Sequence, residues 1–298
     1  MPRSAQAVPA AQDAGREFSF TTEDFDRVRK LIYDHAGISL APGKRDMVYS
    51  RLARRLRAHG LTRFGDYLAF LKTAGPSEWQ AFTNSLTTNL TSFFREAHHF
   101  PALAEHAKRV WEKERRPLTL WCAASSTGEE PYSMAMTMIE AFGSSTPPVH
   151  ILATDVDTSV LAHAEAGVYG MERVEKLSPE RLKRFFLKGA GGNAGVVKVR
   201  PELRDLVTFR RLNLLDTKWP VRGPFDAIFC RNVMIYFDKP TQLAILEKFA
   251  PLLPEGLLFV GHSESLFHAA HLFHSRGRTV YEWARHGTVP AIAGGRSA

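Results

Sequence analysis

Short apolar runs alternate with helical segments from about residue 117 onward, and this alternation constrains the fold more than any other feature of the sequence. Helical periodicity covers 131–142, 158–166 and 241–253, which lie between most of the apolar runs. Strands that are joined through helices run parallel, so the pattern predicts an α/β fold with a doubly wound parallel sheet. The predicted strands are 118–123, 149–154, 207–210, 225–230, 257–261 and 279–283.

Residues 18–90 carry helical periodicity instead and predict a small all-α N-terminal domain. Thr21 or Thr22 can cap its first helix, since a threonine before an apolar-periodic segment satisfies free backbone N–H groups. The second helix, 44–59, is strongly basic. Its cationic residues are Lys44, Arg45, Arg51, Arg54, Arg55 and Arg57.

Other segments depart from both patterns. Residues 91–116 are predicted to form a linker and a connecting helix that lead into a sheet domain at 117–286. Between about 167 and 205 a Gly-rich turn beside a short alternating strand predicts a small inserted antiparallel β-subdomain. Residues 1–17 and 287–298 are expected to be flexible tails.

The chain is basic, with a formal net charge of +8 and a pI near 9.6, which indicates a polyanionic or acidic partner. Nucleic acid and an acidic protein surface satisfy this charge equally. No apolar run approaches the ~20 residues that span a bilayer, and the first residues lack the apolar core of a signal peptide. Cys122 and Cys230 fall in predicted strands, where buried reduced thiols are expected. We therefore expect a cytoplasmic protein without membrane insertion.

The turn after the first sheet strand, SSTGEEPYS, leads into a helix. Gly128 permits a tight turn, and Pro131 has the fixed φ that is favoured at the first helical position. Neither the G-x-G-x-x-G nor the P-loop pattern is present. Glu129 and Glu130 would repel a pyrophosphate but suit a cation such as S-adenosylmethionine, which has a sulfonium and an amino group and no phosphate. Which of the two glutamates makes the closer contact stays open.

Polar residues also follow the next two strands. The second strand ends in Asp155, about 20–25 residues past the glycine turn, where a carboxylate can accept hydrogen bonds from ribose hydroxyls. The alternative is a cap on the following helix, a role that we assign to Asp157. Asn213 and Leu214 follow the third strand and suit the edge and the face of an adenine.

The segment 223–238, GPFDAIFCRNVMIYFD, contains an apolar strand that breaks directly into Arg231 and Asn232, with Tyr236 shortly after. Ligands of open α/β sheets bind just beyond the carboxyl ends of the strands, so these side chains are candidate contacts. An ordinary strand-to-loop transition explains this segment equally well by itself. Compatible residues at four strand ends favour a binding site.

Four segments are long and specific: TNLTSFFREAHHF (88–100), AASSTGEEPYS (123–133), ATDVDTSVL (153–161) and GPFDAIFCRNVMIYFD (223–238). Together they resemble the CheR family of chemotaxis receptor methyltransferases, and the likeness extends to GHSESL at 261–266. The resemblance implies a Rossmann-like, S-adenosylmethionine-dependent O-methyltransferase that esterifies glutamate side chains of chemoreceptors. It also implies an all-α N-terminal domain and a three-stranded antiparallel subdomain.

Functional residues of the family carry over position by position. Arg95 and Tyr236 match positions that the family associates with catalysis. The Gly-rich turn at 189–195 resembles a loop that can grip a receptor's C-terminal peptide by strand addition. The implied cofactor contacts are Asn89, Thr91, Arg95, Glu129, Asp155, Asn213, Leu214, Arg231 and Asn232.

The basic helix gains a candidate partner from the resemblance, because the methylation helices of chemoreceptors are acidic. A solvated cationic face is the alternative. His98 and His99 are adjacent and lack the H-E-x-x-H spacing, so no metal is expected. The predicted docking residues are Arg51, Arg54, Arg55 and Arg57.

Two other functions compete with this interpretation. A nucleic-acid methyltransferase with the same cofactor fold would explain the basic pI. Amino-group methylation of bases commonly uses an Asn/Asp-Pro-Pro-Tyr/Phe loop after the fourth strand, whereas residues 231–234 read RNVM, without prolines. We therefore expect no nucleic-acid partner. A non-catalytic cofactor-binding scaffold is the third hypothesis, and the complete set of candidate contacts argues against it.

Overall fold

The computed structural model describes residues 16–284, and the chain divides into two compact units between Thr88 and Asn89. The predicted tails lie outside the described residues, except for Arg16 and Glu17. Both of these residues form ion pairs, Arg16 with Asp46 and Glu17 with Arg57. No helix of the described part is both long enough and apolar enough to cross a membrane.

The first unit is all-helical. Its first helix starts with a capping box, in which the Thr21 hydroxyl accepts from the Asp24 N–H and the Asp24 carboxylate accepts from the Thr21 N–H. Of the two threonines that the sequence offers, Thr21 is therefore the cap. The helices are α1 (Thr22–Ala36), α2 (Arg45–Ala58), α3 (Phe64–Thr73) and α4 (Pro76–Leu86).

The core of this unit is formed by one face of each helix. Val28, Leu52, Leu68 and Phe82, from four different helices, are fully buried in it. Fully burying an apolar side chain of this size stabilises a fold by about 1.5–3 kcal/mol, so these faces supply the main driving force for packing.

The second unit contains the remaining elements. Its helices are α5 (His99–Glu114), α6 (Glu129–Phe142), α7 (Thr158–Ala166), α8 (Met171–Val174), α9 (Pro179–Phe185), α10 (Pro201–Arg204) and α11 (Lys239–Phe249). Its strands are β1 (Leu118–Cys122), β2 (Val149–Asp155), β3 (Val168–Gly170), β4 (Phe186–Lys188), β5 (Val196–Val199), β6 (Val207–Arg211), β7 (Ala227–Cys230), β8 (Leu257–Val260), β9 (Phe273–Gly277) and β10 (Val280–Trp283).

Seven strands form the main sheet in the order β6-β2-β1-β7-β8-β10-β9. The first five of these run parallel, as predicted, and β10 pairs antiparallel with β8 and β9. The sequence analysis missed β9, because its residues HSRG show no apolar alternation. The chain order of the strands reverses between β1 and β7, which is the place where α/β sheets bind ligands.

Side chains of the central strands alternate between the two faces of the sheet. Cys122 and Phe229 belong to a core that also includes residues of α5 and α6. Trp121, Ile228 and Cys230 belong to the opposite core, which includes residues of α11. Both cysteines are buried and free, and the doubly wound arrangement is confirmed.

The β-subdomain, residues 168–199 with β3, β4 and β5, is inserted between α7 and α10. Its three strands are antiparallel in the order β3-β5-β4, so β3 and β4 are its edges. The predicted inserted antiparallel sheet is thus confirmed, as is the all-α domain that precedes the main sheet.

Candidate active site

The turn between β1 and α6 lies at the carboxyl edge of the sheet, beside the point where the strand order reverses. Gly128 adopts φ 97°, and a Cβ there would lie 2.7 Å from both Ala164 Cβ and Tyr169 Oη. Only glycine therefore fits this close approach. Helix α6 begins at Glu129, so Pro131 occupies the third helical position and not the first, which the sequence suggested. Its missing N–H costs no helical hydrogen bond at the third position either, because the first four N–H groups of a helix have no partner within it.

Glu129 is held by a residue from the β-subdomain. Its buried carboxylate accepts a hydrogen bond from Arg173 Nε at 3.0 Å and one from Thr127 Oγ1 at 2.6 Å. Arg173 also donates to the Thr91 carbonyl at 3.2 Å. Sequence reasoning missed Arg173, which connects the inserted subdomain to two of the predicted cofactor contacts.

Glu130 faces a different arginine. Arg231 Nη1 donates to Glu130 Oε2 at 2.5 Å, and Arg231 Nη2 donates to the Arg95 carbonyl at 2.6 Å. Arg231 Nη2 also lies 3.2 Å from Glu96 Oε2. The Arg231 side chain is fully buried, so its guanidinium serves protein partners, and any contact with a cofactor would come from its backbone.

Asp155 ends β2 and points into the same turn. Its carboxylate accepts from the Ser126 N–H at 2.8 Å and from the Asp157 N–H at 2.9 Å. Burial raises the pKa of Asp155 to about 6, although these two hydrogen bonds favour the charged form and by themselves would lower the pKa. As predicted, Asp157 is the cap of α7: its side chain accepts hydrogen bonds from the N–H groups of Ser159 and Val160.

Asn89 and the residues after β6 complete this side of the site. Asn89 Nδ2 donates to Asp157 Oδ2 at 2.9 Å, and the Asn89 carbonyl accepts from Ser126 Oγ at 3.2 Å. Asn213 Oδ1 accepts from the Leu215 N–H at 3.0 Å. The side chains of Asn213 and Leu214 are buried. Their proposed contact with an adenine stays a prediction.

Glu264, which sequence reasoning also missed, fixes the segment after β7. Its buried carboxylate accepts from the N–H groups of Asn232 at 2.7 Å, Gly261 at 2.6 Å and Ile235 at 3.3 Å. Burial raises the pKa of Glu264, although these backbone donors oppose that rise. Asn232 has φ 57°. The hydrogen bonds to Glu264 fix the positions of Asn232 and of the short 3-10 helix that contains Tyr236.

Glu96 ties the segment before α5 to the loop after β8. It accepts from the His262 N–H at 3.2 Å and from His262 Nδ1 at 3.0 Å, and it faces Arg231. Burial opposes its charge, but the His262 hydrogen bonds and Arg231 outweigh burial and lower the pKa of Glu96 to about 2. Phe94 and Glu96 both have positive φ, which is a strained backbone of the kind that clusters at functional sites.

Arg95 lies between these two strained residues and is half-buried. Its Nη1 donates to the Leu90 carbonyl at 2.8 Å. Within residues 16–284 its guanidinium forms no ion pair, in contrast to Arg173 and Arg231. Arg95 is therefore a cation that remains available to a bound carboxylate at this edge of the sheet.

Glu96, His98 and His99 bring potential metal-ligand atoms within 4.8 Å of one another. The Nε2 atoms of both histidines, however, face the Arg278 carbonyl, at 3.3 and 3.0 Å. The Arg231 guanidinium beside Glu96 would also repel a cation. These contacts oppose a metal at the cluster, although His99 Nδ1 is buried without a hydrogen-bond partner among the described residues. The expectation of no metal stays a prediction.

The groups at this edge fit S-adenosylmethionine. Asp155 offers a carboxylate acceptor for ribose hydroxyls, and the turn carries two acidic residues where a phosphate site would have donors. Ser125 Oγ is buried in the same turn and has no hydrogen-bond partner among the described residues. Asp155 and Ser125 suit the hydroxyl and amino groups of that cofactor, whereas Glu129 and Glu130 are already paired with Arg173 and Arg231.

Comparison with known proteins covers both units. Residues 89–281 match the S-adenosylmethionine-binding domain of CheR methyltransferases, and residues 23–87 match the all-alpha domain of CheR methyltransferases. Chemotaxis protein methyltransferase 2 of Pseudomonas aeruginosa is 55% identical over 282 residues, which cover 94% of this chain and 99% of that protein. Chemotaxis protein methyltransferase of Escherichia coli is 56% identical over 259 residues, covering 86% of this chain and 89% of that protein.

Proposed function

The chain belongs to the CheR family of S-adenosylmethionine-dependent chemotaxis methyltransferases, and we propose that it methylates glutamate side chains of chemoreceptors. The products would be glutamyl methyl esters and S-adenosylhomocysteine. The observation that carries this proposal is that the Arg95 guanidinium forms no ion pair among the described residues, while the Arg95 carbonyl accepts a hydrogen bond from Arg231, in the segment that leads to Tyr236. A cation in that position suits an acceptor that is itself a carboxylate.

Residues of four strand ends are proposed to hold the cofactor. Asp155 would bind the ribose, and Asn213 with Leu214 would bind the adenine. Glu129 and the segment that begins at Asn89 would lie nearer the methionine portion. Thr91, Arg95, Arg231 and Asn232 remain proposed contacts, with Arg231 acting through its backbone.

The proposed chemistry needs little from the protein beyond positioning. When bound, S-adenosylmethionine supplies a methyl group on a positively charged sulfur. A glutamate side chain has an ordinary pKa near 4.3, so at neutral pH it is already a carboxylate and no general base is required. Arg95 would orient this carboxylate through paired N–H groups, and Tyr236 would border its approach.

This proposal is tested by the lability of the product. The protein is incubated with methyl-labelled S-adenosylmethionine and a chemoreceptor cytoplasmic fragment, and the labelled receptor is then treated with mild base. Release of the label as methanol is the expected result, because carboxyl methyl esters hydrolyse under these conditions. Label that stays on the receptor would assign a different acceptor atom.

Asp155 gives a prediction on cofactor affinity. Asp155→Asn is expected to weaken S-adenosylhomocysteine binding by about 10–100-fold, because hydrogen bonds to a charged group contribute about 1.5–3 kcal/mol. The pKa of Asp155 is about 6, so its carboxyl gains a proton as the pH falls from 7 to 5 and loses acceptor strength. Calorimetric titrations across this range should show weaker binding at low pH for the natural chain and a flatter profile for Asp155→Asn. Identical profiles would remove Asp155 from the cofactor site.

The basic helix α2 is proposed to dock acidic receptor helices, although its arginines differ in availability. Arg55 is paired with the buried Glu78, and Arg57 is paired with Glu17. Arg51 donates to the Thr87 carbonyl at 2.6 Å. Arg54 is exposed and engaged in no hydrogen bond or ion pair within the described part. Arg54 is therefore the residue that tests docking without disturbing the helical unit.

Arg54→Glu is expected to raise the KM for a receptor fragment severalfold, and to make the rate less sensitive to salt, because exposed charges mainly steer association. Arg222→Glu is the matched control, since Arg222 is an exposed arginine in a loop of the second unit. The measurement is initial rate against receptor concentration at two ionic strengths. Equal effects of both variants would mean that α2 does not dock the receptor and is only a solvated cationic face.

The β-subdomain is proposed to accept a receptor's C-terminal peptide where the receptor has one. Its edge strands β3 and β4 have unpaired backbone groups on their outer sides, as strand addition requires. The Gly-rich turn at 189–195 adjoins β4 and allows a peptide to approach closely.

A further inference from the structure

We propose that Leu90, Ile235 and Phe267 form an apolar rim around the acceptor site, which holds the apolar flank of the amphipathic receptor helix that carries the target glutamate. This inference rests on the proposed function and adds the surface that selects the substrate. Phe267 is 91% exposed, Leu90 is 76% exposed and Ile235 is 52% exposed. A partner that covers large, exposed apolar side chains removes apolar area from water, and this burial stabilises the complex.

The three residues belong to segments that hold the proposed catalytic groups. The Leu90 carbonyl accepts the hydrogen bond from Arg95 Nη1 at 2.8 Å. Ile235 directly precedes Tyr236, and its N–H donates to Glu264 at 3.3 Å. Phe267 follows Glu264 by three residues, in the loop after β8. Glu96, the neighbour of Arg95 in sequence, accepts from Asn232 Nδ2 at 3.4 Å and from the His262 N–H at 3.2 Å, which brings the three segments together. A helix that delivers a carboxylate to Arg95 would therefore approach all three.

The rim is preformed, because its supporting loops are tied to buried groups. The Glu264 carboxylate accepts from three backbone N–H groups on these loops. Gly261 allows this packing, since a Cβ there would lie 2.4 Å from Asn232 Nδ2. Binding on such a surface loses less free energy to ordering of the loops than binding on a mobile surface would.

The charge around the rim selects the occupant. Each of the three carboxylates of these segments has partners within the protein. Glu96 faces Arg231 and His262, and Glu264 accepts from backbone N–H groups. Asp238 caps α11 through the Thr241 N–H. The cations, by contrast, remain accessible: Arg95 is half-buried without an ion pair in the described range, and Lys239 is exposed. An apolar surface with accessible positive charge is complementary to an acidic amphipathic helix.

The test uses Phe267→Ser and Ile235→Ser, and a receptor fragment that ends before any C-terminal tether peptide. Phe70→Ser is the matched control, because Phe70 is 37% exposed on α3 and belongs neither to α2 nor to the β-subdomain. We expect the KM for the fragment to rise about tenfold or more in each rim variant, as for aromatic or aliphatic anchors of an interface. The turnover at saturating fragment and the Kd for S-adenosylhomocysteine should not change.

Three results would overturn the inference. An unchanged KM in both rim variants would mean that the rim does not touch the receptor. Weaker S-adenosylhomocysteine binding would mean that the rim covers the cofactor instead. Loss of a dimer in sedimentation would identify a second copy of this chain as the occupant. The proposed function is judged separately, because base-labile label from the natural chain does not depend on these variants.

Discussion

Replacing Arg95 by alanine is expected to lower the turnover number about 100-fold or more, while the protein stays folded. Arg95 is the cation in the site whose guanidinium forms no ion pair within residues 16–284, so we assign it the orientation of the acceptor carboxylate. Losing one positioned donor of this kind commonly costs a factor of about 100–1,000 in rate. The measurement is the single-turnover rate at saturating cofactor and receptor fragment.

Arg95→Lys is the conservative variant for this prediction. It keeps the charge but loses the paired N–H geometry, so we expect a rate between those of the natural chain and Arg95→Ala. The Kd for S-adenosylhomocysteine must be measured in parallel. A loss of cofactor affinity that is larger than the loss of single-turnover rate would assign Arg95 to cofactor binding alone and remove it from acceptor binding.

Replacing Arg231 by methionine is expected to destabilise the second unit by about 3–5 kcal/mol, because removing one partner of a buried ion pair leaves uncompensated charge. Glu130 and Glu96 would both lose this partner, and the Arg95 carbonyl would lose a donor. The corresponding fall in Tm is roughly 6–20 °C. Urea unfolding, followed by circular dichroism, measures the change in free energy of unfolding.

Arg276→Met is the control for this second prediction. Arg276 forms an exposed ion pair with Glu282 at 3.3 Å, and exposed pairs contribute only about 0–1 kcal/mol. Combining Arg231→Met with Glu130→Gln should recover part of the loss, because it removes one of the stranded charges. If Arg231→Met cost no more than Arg276→Met, the buried contacts of Arg231 with Glu130 and Glu96 would not stabilise the second unit.

Local sequence patterns predicted the elements that position the site. Helix α7 has the bounds that its periodicity and Asp157 predict, and the polar residues after β2 and β7 lie at one edge of the sheet. These features depend on neighbours in sequence, namely a cap, a strand end and a turn. Such contacts are visible to periodicity and spacing.

The residues that sequence reasoning missed have distant partners. Glu96 meets Arg231, Arg173 meets Glu129, and Glu264 meets Asn232. Each pair is separated by a strand, a helix or the inserted β-subdomain, and no periodic pattern connects its two members. The open choice between Glu129 and Glu130 has the same origin, because the two adjacent carboxylates differ mainly in which distant arginine each one meets.

The sequence also could not show which arginines of α2 are already paired within the protein. Four arginines of α2 were predicted to dock a partner as a group. Arg55 is instead paired with the buried Glu78, which also accepts from the Tyr67 hydroxyl at 2.8 Å. Burial, together with the hydrogen bond to Glu78, raises the pKa of Tyr67, so this cluster has a clear role inside the helical unit.

The most direct test of the account is to map the methyl group to single residues of a receptor fragment. The fragment is treated with this protein and S-adenosylmethionine, digested, and sequenced by tandem mass spectrometry under acidic conditions that preserve esters. Methyl groups are expected on glutamate side chains, and about 100-fold fewer of them over the same early reaction time when Arg95→Ala replaces the natural chain. Methyl groups on lysine, on backbone termini or on added RNA, with unmodified glutamates, would contradict it.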